Sequence, residues 1–316
     1  MAPYQIKPLL PEPKFRELLA PLIHGERPVI TFETIHRRKD GSEFPVEILL
    51  QLVREPGTRG LFIAIVRDIT ERKRIERMKS ELVSTISHEL RTPLTSIRGS
   101  LGLVASGVAG ALPEKARELI DIAYKNSGRL AHLINDILDV EKIESGKMHY
   151  DIRPEVLMPL VEQAVEAIRG YGQERGVEFI VTTVLPHTRV KVDAHRLLQV
   201  LANLLSNAAK FSPRGGQVEI AVTRARNMVR VAVTDHGSGI PPEFRSRIFE
   251  RFSQADASDT RAKSGSGLGL HISKDIVEKF GGYIGFESKA GTGSTFYFDL
   301  PEYPNQPVSR RAGTGV

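Results

Sequence analysis

The sequence predicts a multi-domain α+β protein, and three observations carry that reading. Apolar residues alternate with a period of two over residues 28–68 and then shift to a period near 3.6 from about residue 70. From about 148 the signals become mixed strand and helix. The chain has 316 residues, room for about two to three domains of ~100–200 residues each.

Composition narrows the functional classes. There is no cysteine, which excludes a disulfide framework, thiolate chemistry and a Cys-based zinc site, and fits a reducing cytoplasm. The formal charge is +6, but the basic stretch "RDITERKRIERMK" (67–79) has acids interspersed and no interleaved aromatics. It reads as a solvated helix face, and no nucleic-acid partner is expected. The longest strand-like apolar run, "LFIAIV" at 61–66, has six residues, far below the ~18 that suggest a membrane span. The first residues, "MAPYQIKPLLPEPK", lack the apolar region of a signal peptide.

Taken in order, a short helix over about 13–24 precedes a three-stranded meander. "VITFETIHRRK" leads into Asp40-Gly41, a strong hairpin signal. "SEFPVEILLQLV" follows with Phe44, Val46, Ile48, Leu50 and Leu52 on one face, and after Pro56-Gly57 "LFIAIVRD" is a nearly continuous apolar strand. Ile75, Met78, Leu82 and Thr85 then continue as a short coiled coil into the next helix. Val83, Ile86, Leu90, Leu94, Ile97, Leu101 and Val104 define one buried helical stripe. Gly107 and Gly110 bracket a turn, and Pro113 opens a second helix to about Gly146 with Leu130, Leu133, Ile134, Ile137 and Leu138 on its apolar side. A helical hairpin with so wide an apolar face is expected to dimerise into a four-helix bundle.

Beyond 148, strands are predicted at 177–184, 217–224, 228–235, 283–288 and 294–300, with helices at 155–170, 194–211 and 268–280. The region from 303 to 316 reads as a disordered tail.

Within the first long helix, "ISHELRTPLTS" (86–96) sets His88 about 200° from Ile86 at 100° per residue, facing solvent. Thr92 shares its face, while Glu89 points about 100° round. Pro93 cannot donate to the carbonyl of Glu89, so the helix is made bendable beside the histidine. Neutral imidazole is a competent nucleophile near neutral pH. An accidental surface histidine would look the same in isolation.

Further on, "HRLLQVLANLLSNAAKF" (195–211) gathers Arg196, Gln199, Asn203, Asn207 and Lys210 on one face, opposite its leucines. A plain polar face and a metal-and-phosphate face both fit. An amide oxygen can coordinate Mg2+, and Lys210 can meet phosphate. "DHGSGI" (235–240) ends a strand with an acid that can accept from an adenine amino group, and Gly237 and Gly239 let backbone approach the base. "GSGLGL" (265–270) feeds a helix N-terminus, a setting that offers N–H groups to phosphate. It does not follow a strand as a dinucleotide fingerprint would, and no GxxxxGK[ST] is present. "FERF" (249–252) and the stretch 253–267 read as an anchored flap, and "GTGSTF" (291–296) as a turn into the last strand.

Together these segments resemble a sensor histidine kinase of two-component signalling. "SHELRTPLT" resembles its H box, "NLLSNAAKFS" its N box, "DHGSG" its first glycine box, "FERF" its F box, and "GSGLGL" and "GTGSTF" its remaining glycine boxes, all in family order across 80–302. "RRKDGSEFPVEI" and "FIAIVRDITERK" resemble the C-terminal half of a PAS sensor domain, without the elements that would complete its pocket.

The resemblance implies a partial PAS-like antiparallel sheet (1–69), a coiled-coil linker and phosphotransfer hairpin forming a dimeric four-helix bundle (70–147), and an α/β-sandwich ATP-binding domain of the gyrase type (148–302). His88 would take the γ-phosphoryl group of ATP, Glu89 would orient it or accept its proton, and Thr92 would help place water for dephosphorylating the partner. Asn207 would hold Mg2+, and Asn203 would occupy a position used for a base or second metal contact. Lys210 would touch phosphate, Phe211 would lie near the base and Asp235 would select adenine. Arg261 and Lys263 would steady phosphate, and Gly237, Gly239, Gly265, Gly267, Leu268, Gly269 and Gly291 would shape the nucleotide loops.

The expected activity is ATP-dependent autophosphorylation of His88 with transfer to an aspartate of a separate response regulator receiver domain, and phosphatase action on that regulator. The expected protein is a cytoplasmic homodimer with no membrane segment in this chain. A non-kinase scaffold or a regulator-directed phosphatase that binds ATP weakly is the alternative of another class. A gyrase-like ATPase clamp would need a catalytic Glu where Asn203 stands.

Overall fold

The computed structural model describes residues 6–54, 60–108, 110–253 and 266–304. The chain forms two compact units, one through Ile86 and one from Ser87 onward.

In the first unit, helix α1 (Glu12–Ile23) precedes three antiparallel strands, β1 (Val29–Arg37), β2 (Glu43–Val53) and β3 (Leu61–Asp68), in that order across the sheet. The β1–β2 turn forms at the predicted Asp40-Gly41, where the Asp40 carboxylate accepts from the Ser42 backbone N–H at 2.9 Å. Alternation puts Ile30, Val46, Ile48 and Leu50 on the face where Leu22 of α1 buries itself. The sequence-level alternation in "SEFPVEILLQLV" is thus the core face of this unit. In contrast, β3 is exposed along its whole length despite its apolar run.

Helix α2 (Thr70–Ala105) runs unbroken through Pro93. Its residues from Ser87 belong to the second unit, where it pairs with α3 (Glu114–Glu144). Leu94, Ile134 and Leu138 are buried between the two helices, and Arg91 donates to Asn135 Oδ1 at 3.2 Å. Here the predicted buried stripe needs correction. Of its seven residues only Leu94 is buried, while Ile86, Leu90 and Ile97 are 48, 48 and 52% exposed. Ile75, Met78 and Leu82 of the predicted coiled coil are also exposed. Two helices share one seam, and a stripe of this width cannot be covered by a single partner helix.

The rest of the chain builds a two-layer α/β domain. Its strands are β4 (Arg153–Val156), β5 (Glu178–Thr183), β6 (Arg189–Val192), β7 (Gln217–Ala225), β8 (Met228–Asp235), β9 (Tyr283–Lys289) and β10 (Gly293–Tyr303). They make one sheet in the order β4-β6-β10-β8-β7-β5, with β9 also paired to β10 and only β5–β7 parallel. Helices α4 (Leu157–Arg175), α5 (Ala194–Phe211) and α6 (Gly269–Lys279) share a core with Val218, Ile220 and Val222 of β7 and Val229, Val231 and Val233 of β8. Val140 and Ile143 from the last turns of α3 pack against the same core.

Two short strands, β4 and β6, and a 3-10 turn at Pro242–Arg247 were not expected from the sequence. The last strand runs to Tyr303, one residue into the region read as tail. The remainder of that reading, 305–316, lies outside the described residues.

Candidate nucleotide and phospho-acceptor sites

The polar face of α5 forms because Asp193 caps the helix, accepting from Arg196 N at 3.1 Å, while Leu197, Leu201, Leu204 and Leu205 lock the opposite face into the core. This leaves Asn203, Asn207 and Lys210 half-buried and directed to one side. Asn203 Nδ2 donates to Ser273 Oγ of α6 at 2.9 Å, and Asn207 Nδ2 donates to Asn203 Oδ1 at 3.3 Å. The start of α6 comes so close that a side-chain carbon at Gly269 would lie 2.3 Å from Asn203 Oδ1. A larger residue there would have to turn the Asn203 amide away or part the helices.

Asp235 ends β8 and is 5% exposed. Its Oδ1 accepts from Gly237 N at 2.9 Å, which curls the following loop back over the carboxylate. Burial pushes the Asp235 carboxyl above the usual carboxylate range, against the pull of backbone N–H donors from Gly237 and Ser294. Gly237 also abuts the end of α5, where a side-chain carbon would lie 2.3 Å from the Phe211 carbonyl oxygen. Phe211 is exposed beside this loop, with the Lys210 ammonium 4.7 Å from its ring centroid. Gly239 and Gly291 belong to the same corner, since Gly291 N donates to Ser238 O at 2.7 Å.

The structure therefore brings Asn203, Asn207, Lys210, Phe211, Asp235, Gly237, Gly239, Gly269 and Gly291 into one contiguous region. Gly267 precedes α6 at its edge. Leu268, expected among the nucleotide contacts, instead gives its side chain to the core, 1% exposed, so only its main chain borders the loop. Arg261, Lys263 and Gly265 lie outside the described residues, as does most of the predicted flap. Of "FERF", Phe249 is the anchor, 6.0 Å from Phe286 between ring centroids, and its carbonyl lies 3.1 Å from His271 Nδ1.

His88, Glu89 and Thr92 stand exposed on α2, outside that region. Among the described residues no cluster of His, Cys, Asp and Glu could hold a metal alone. A Mg2+ ion would suit this site only with phosphate and water as most of its ligands, the habit of that ion. Asn207 fits such a role, because its amide nitrogen is engaged with Asn203 and its carbonyl oxygen is turned elsewhere.

Several supporting residues carried no sequence signal. Ser288 Oγ accepts from Ile240 N at 2.8 Å, and Arg245 Nη2 donates to Ser288 O at 2.8 Å, so β9 braces the loop after Asp235. The α5 face also divides its duties. Arg196 Nη1 and Gln199 Nε2 donate to Asp139 Oδ2 of α3, at 3.2 and 2.8 Å, instead of turning to nucleotide.

A two-layer domain with this Asn, Asp and glycine-loop arrangement, following a helical hairpin with an exposed histidine, defines the class. Residues 192–304 match the family of histidine kinase-, DNA gyrase B- and HSP90-like ATPases, residues 78–146 the His kinase A phospho-acceptor domain, and residues 5–71 a PAS domain. The chain belongs to the sensor histidine kinases of two-component signalling. It is 39% identical over 71% of its length to the circadian input-output histidine kinase CikA of Synechococcus elongatus. It is 35% identical over 78% of its length to the sensor histidine kinase WalK of Bacillus subtilis, and 34% over 76% to the alginate biosynthesis sensor protein KinB of Pseudomonas aeruginosa. It spans 30, 41 and 40% of those curated relatives. The crystal structure of full-length ShkA in complex with AMPPNP superposes with a TM-score of 0.58 and 30% identity, covering 72% of this chain and 47% of that one. No helix among the described residues is long and apolar enough to cross a membrane.

Proposed function

We propose that the protein is an ATP-dependent protein-histidine autokinase that phosphorylates His88. The observation that carries this reading is the convergence of α5, the β8 end and the α6 N-terminus on one region, beside a hairpin that keeps a histidine exposed. Asp235 accepts from the adenine amino group, Phe211 flanks the base, and Lys210 with the α6 N-terminus receives phosphate. Asn207, assisted by Asn203, would hold Mg2+, whose contribution is to neutralise phosphate charge.

A ring nitrogen of His88 attacks the γ-phosphorus. The N–P bond forms as the bond to the bridging oxygen breaks, ADP leaves, and the ring proton passes to Glu89. Most of the catalysis is positioning and charge stabilisation. The phosphoryl group then moves to an aspartate of a separate response regulator receiver domain, and Thr92, four residues after His88, positions the water that later hydrolyses that aspartyl phosphate to inorganic phosphate. Two copies of the chain act as a homodimer, and the cytoplasm is the compartment of an activity that draws on ATP and a receiver domain.

The test is incubation with Mg2+ and γ-labelled ATP. Acid-labile, base-stable label is expected on the wild type and is expected to vanish in His88→Gln and Asn207→Ala. Wild-type protein that binds ATP without acquiring label would instead support the scaffold or phosphatase reading.

A further inference from the structure

Asp136 on α3 is 4% exposed, a buried carboxylate on a helix whose neighbouring face is solvated. It accepts from Ser266 Oγ at 2.8 Å, and Ser266 Oγ in turn accepts from Leu268 N at 3.2 Å. Leu268 is the N-cap of α6, an 11-residue helix. The carboxylate is therefore joined through one hydroxyl to the N–H group at the positive end of that helix, where an anion is favoured.

The same side of α3 makes two more polar contacts with the α/β domain. Asp139 takes Arg196 and Gln199, and Glu144 pairs with Arg251, which also donates to His271 Nε2 at 3.0 Å. Register gives the position along the hairpin. Arg91 on α2 bonds Asn135 on α3, and His88 lies one turn from Arg91, so Asp136 docks the glycine loop at about the height of the histidine.

We propose that Asp136 is an internal competitor of the nucleotide phosphates, so that docking of the glycine loop on α3 and occupation of that loop by ATP oppose each other. The proposal rests on the ATP reading above. A phosphate seated at α6 needs the loop N–H groups, and one of these is already committed to the Ser266–Asp136 chain. It would also bring negative charge beside a buried carboxylate that no lysine or arginine pairs among the described residues; His132, at 3.6 Å, is its basic neighbour. Burial pushes the Asp136 carboxyl above the usual carboxylate range, against the pull of His132 and of the Ser266 hydroxyl. By linkage, the factor by which docking weakens ATP binding is the factor by which ATP weakens docking. Loading with ATP thus frees the glycine loop from α3, beside the histidine it is to serve.

The experiment titrates the full chain and its Asp136→Asn and Asp136→Ala variants with a non-hydrolysable ATP analogue and, separately, with adenosine. The expected result is analogue affinity higher by about fivefold or more in both variants, within the range of ordinary coupling, with adenosine affinity unchanged. Asn keeps the side-chain shape and removes the charge, so it carries the test if the Ala variant does not fold. Unchanged or lower analogue affinity in Asp136→Asn with adenosine binding intact overturns the proposal. So does a parallel rise for both ligands, which would mark a general loosening of the site and not competition with phosphate. Failure of the wild type to bind either ligand would remove the ATP reading itself, an outcome distinct from both.

Discussion

At the residue scale, Asp235 ties stability to the adenine contact proposed for it. A buried carboxylate is costly to keep ionised, and its pKa is raised for that reason. The sign follows from linkage. A carboxyl raised in the folded state binds its proton more tightly folded than unfolded, so this group favours folding more as pH falls through its raised value, and that contribution is lost as pH rises through it. The proposed contact with the adenine amino group runs the opposite way, because the ionised carboxylate is the stronger acceptor. ATP affinity should therefore begin to fall on acidification at a higher pH than an ordinary carboxylate would set. Asp235→Asn places an amide beside the base and should weaken ATP binding by roughly tenfold or more, since a hydrogen bond to a charged group is worth about 1.5–3 kcal/mol. Its thermal midpoint should match or exceed that of wild type. Calorimetric titration and a melting curve on the same sample decide both, and a large drop in the midpoint would show that the carboxylate is mainly structural.

At the element scale, α6 approaches α5 closely at Gly269, at the end of the site proposed to take phosphate. A methyl group at position 269 would stand 2.3 Å from Asn203 Oδ1, so Gly269→Ala must push the helices apart or turn the amide away. We expect a loss of about 1–3 kcal/mol, the usual cost of overpacking, together with weaker ATP binding, read by denaturant unfolding and by titration. Unaltered values for both would show that the contact is slack. This arrangement was partly legible in the sequence. The i, i+4 asparagines, the glycines before an apolar helix and the acid at a strand end are local patterns, and their helices and strands formed where periodicity placed them. The misses are of a different kind. Arg153–Val156 and Arg189–Val192 are four-residue strands, too short for alternation to register, and they exist because they pair with each other while the second of them also pairs with β10. Asp136 and Asp139 read as ordinary helix-surface acids, since what buries them is the α/β domain, more than fifty residues away in sequence.

At the scale of the whole molecule, the hairpin is what a single chain leaves unfinished. Leu90, Ile97, Leu103, Leu119, Ile122 and Leu130 are each 48–67% exposed, and α2 and α3 enclose a groove of about 700 Å³ lined by Leu94, Gly102, Tyr124, Ala131 and Ile134. Patches of this length on a lone chain mark an interface, and the occupant we propose is a second hairpin, whose own stripe matches it in spacing and apolar character. The width of the stripe, legible in the sequence, is what made a second hairpin the expected cover, because periodicity reports which residues seek burial and one partner helix cannot bury them all. Burying one such leucine or isoleucine is worth about 1.5–3 kcal/mol, and in a symmetric dimer each substitution acts twice. Ile97→Glu should therefore shift the protein from dimer to monomer in analytical ultracentrifugation at micromolar concentration, while ATP binding by the α/β domain, whose core does not include Ile97, stays intact. If the variant sediments as wild type, the stripe around Ile97 is not the seam between copies. If it becomes monomeric and still labels His88 at the wild-type rate, the phosphoryl group passes within one chain. If labelling falls in step with dimer content, it passes between them.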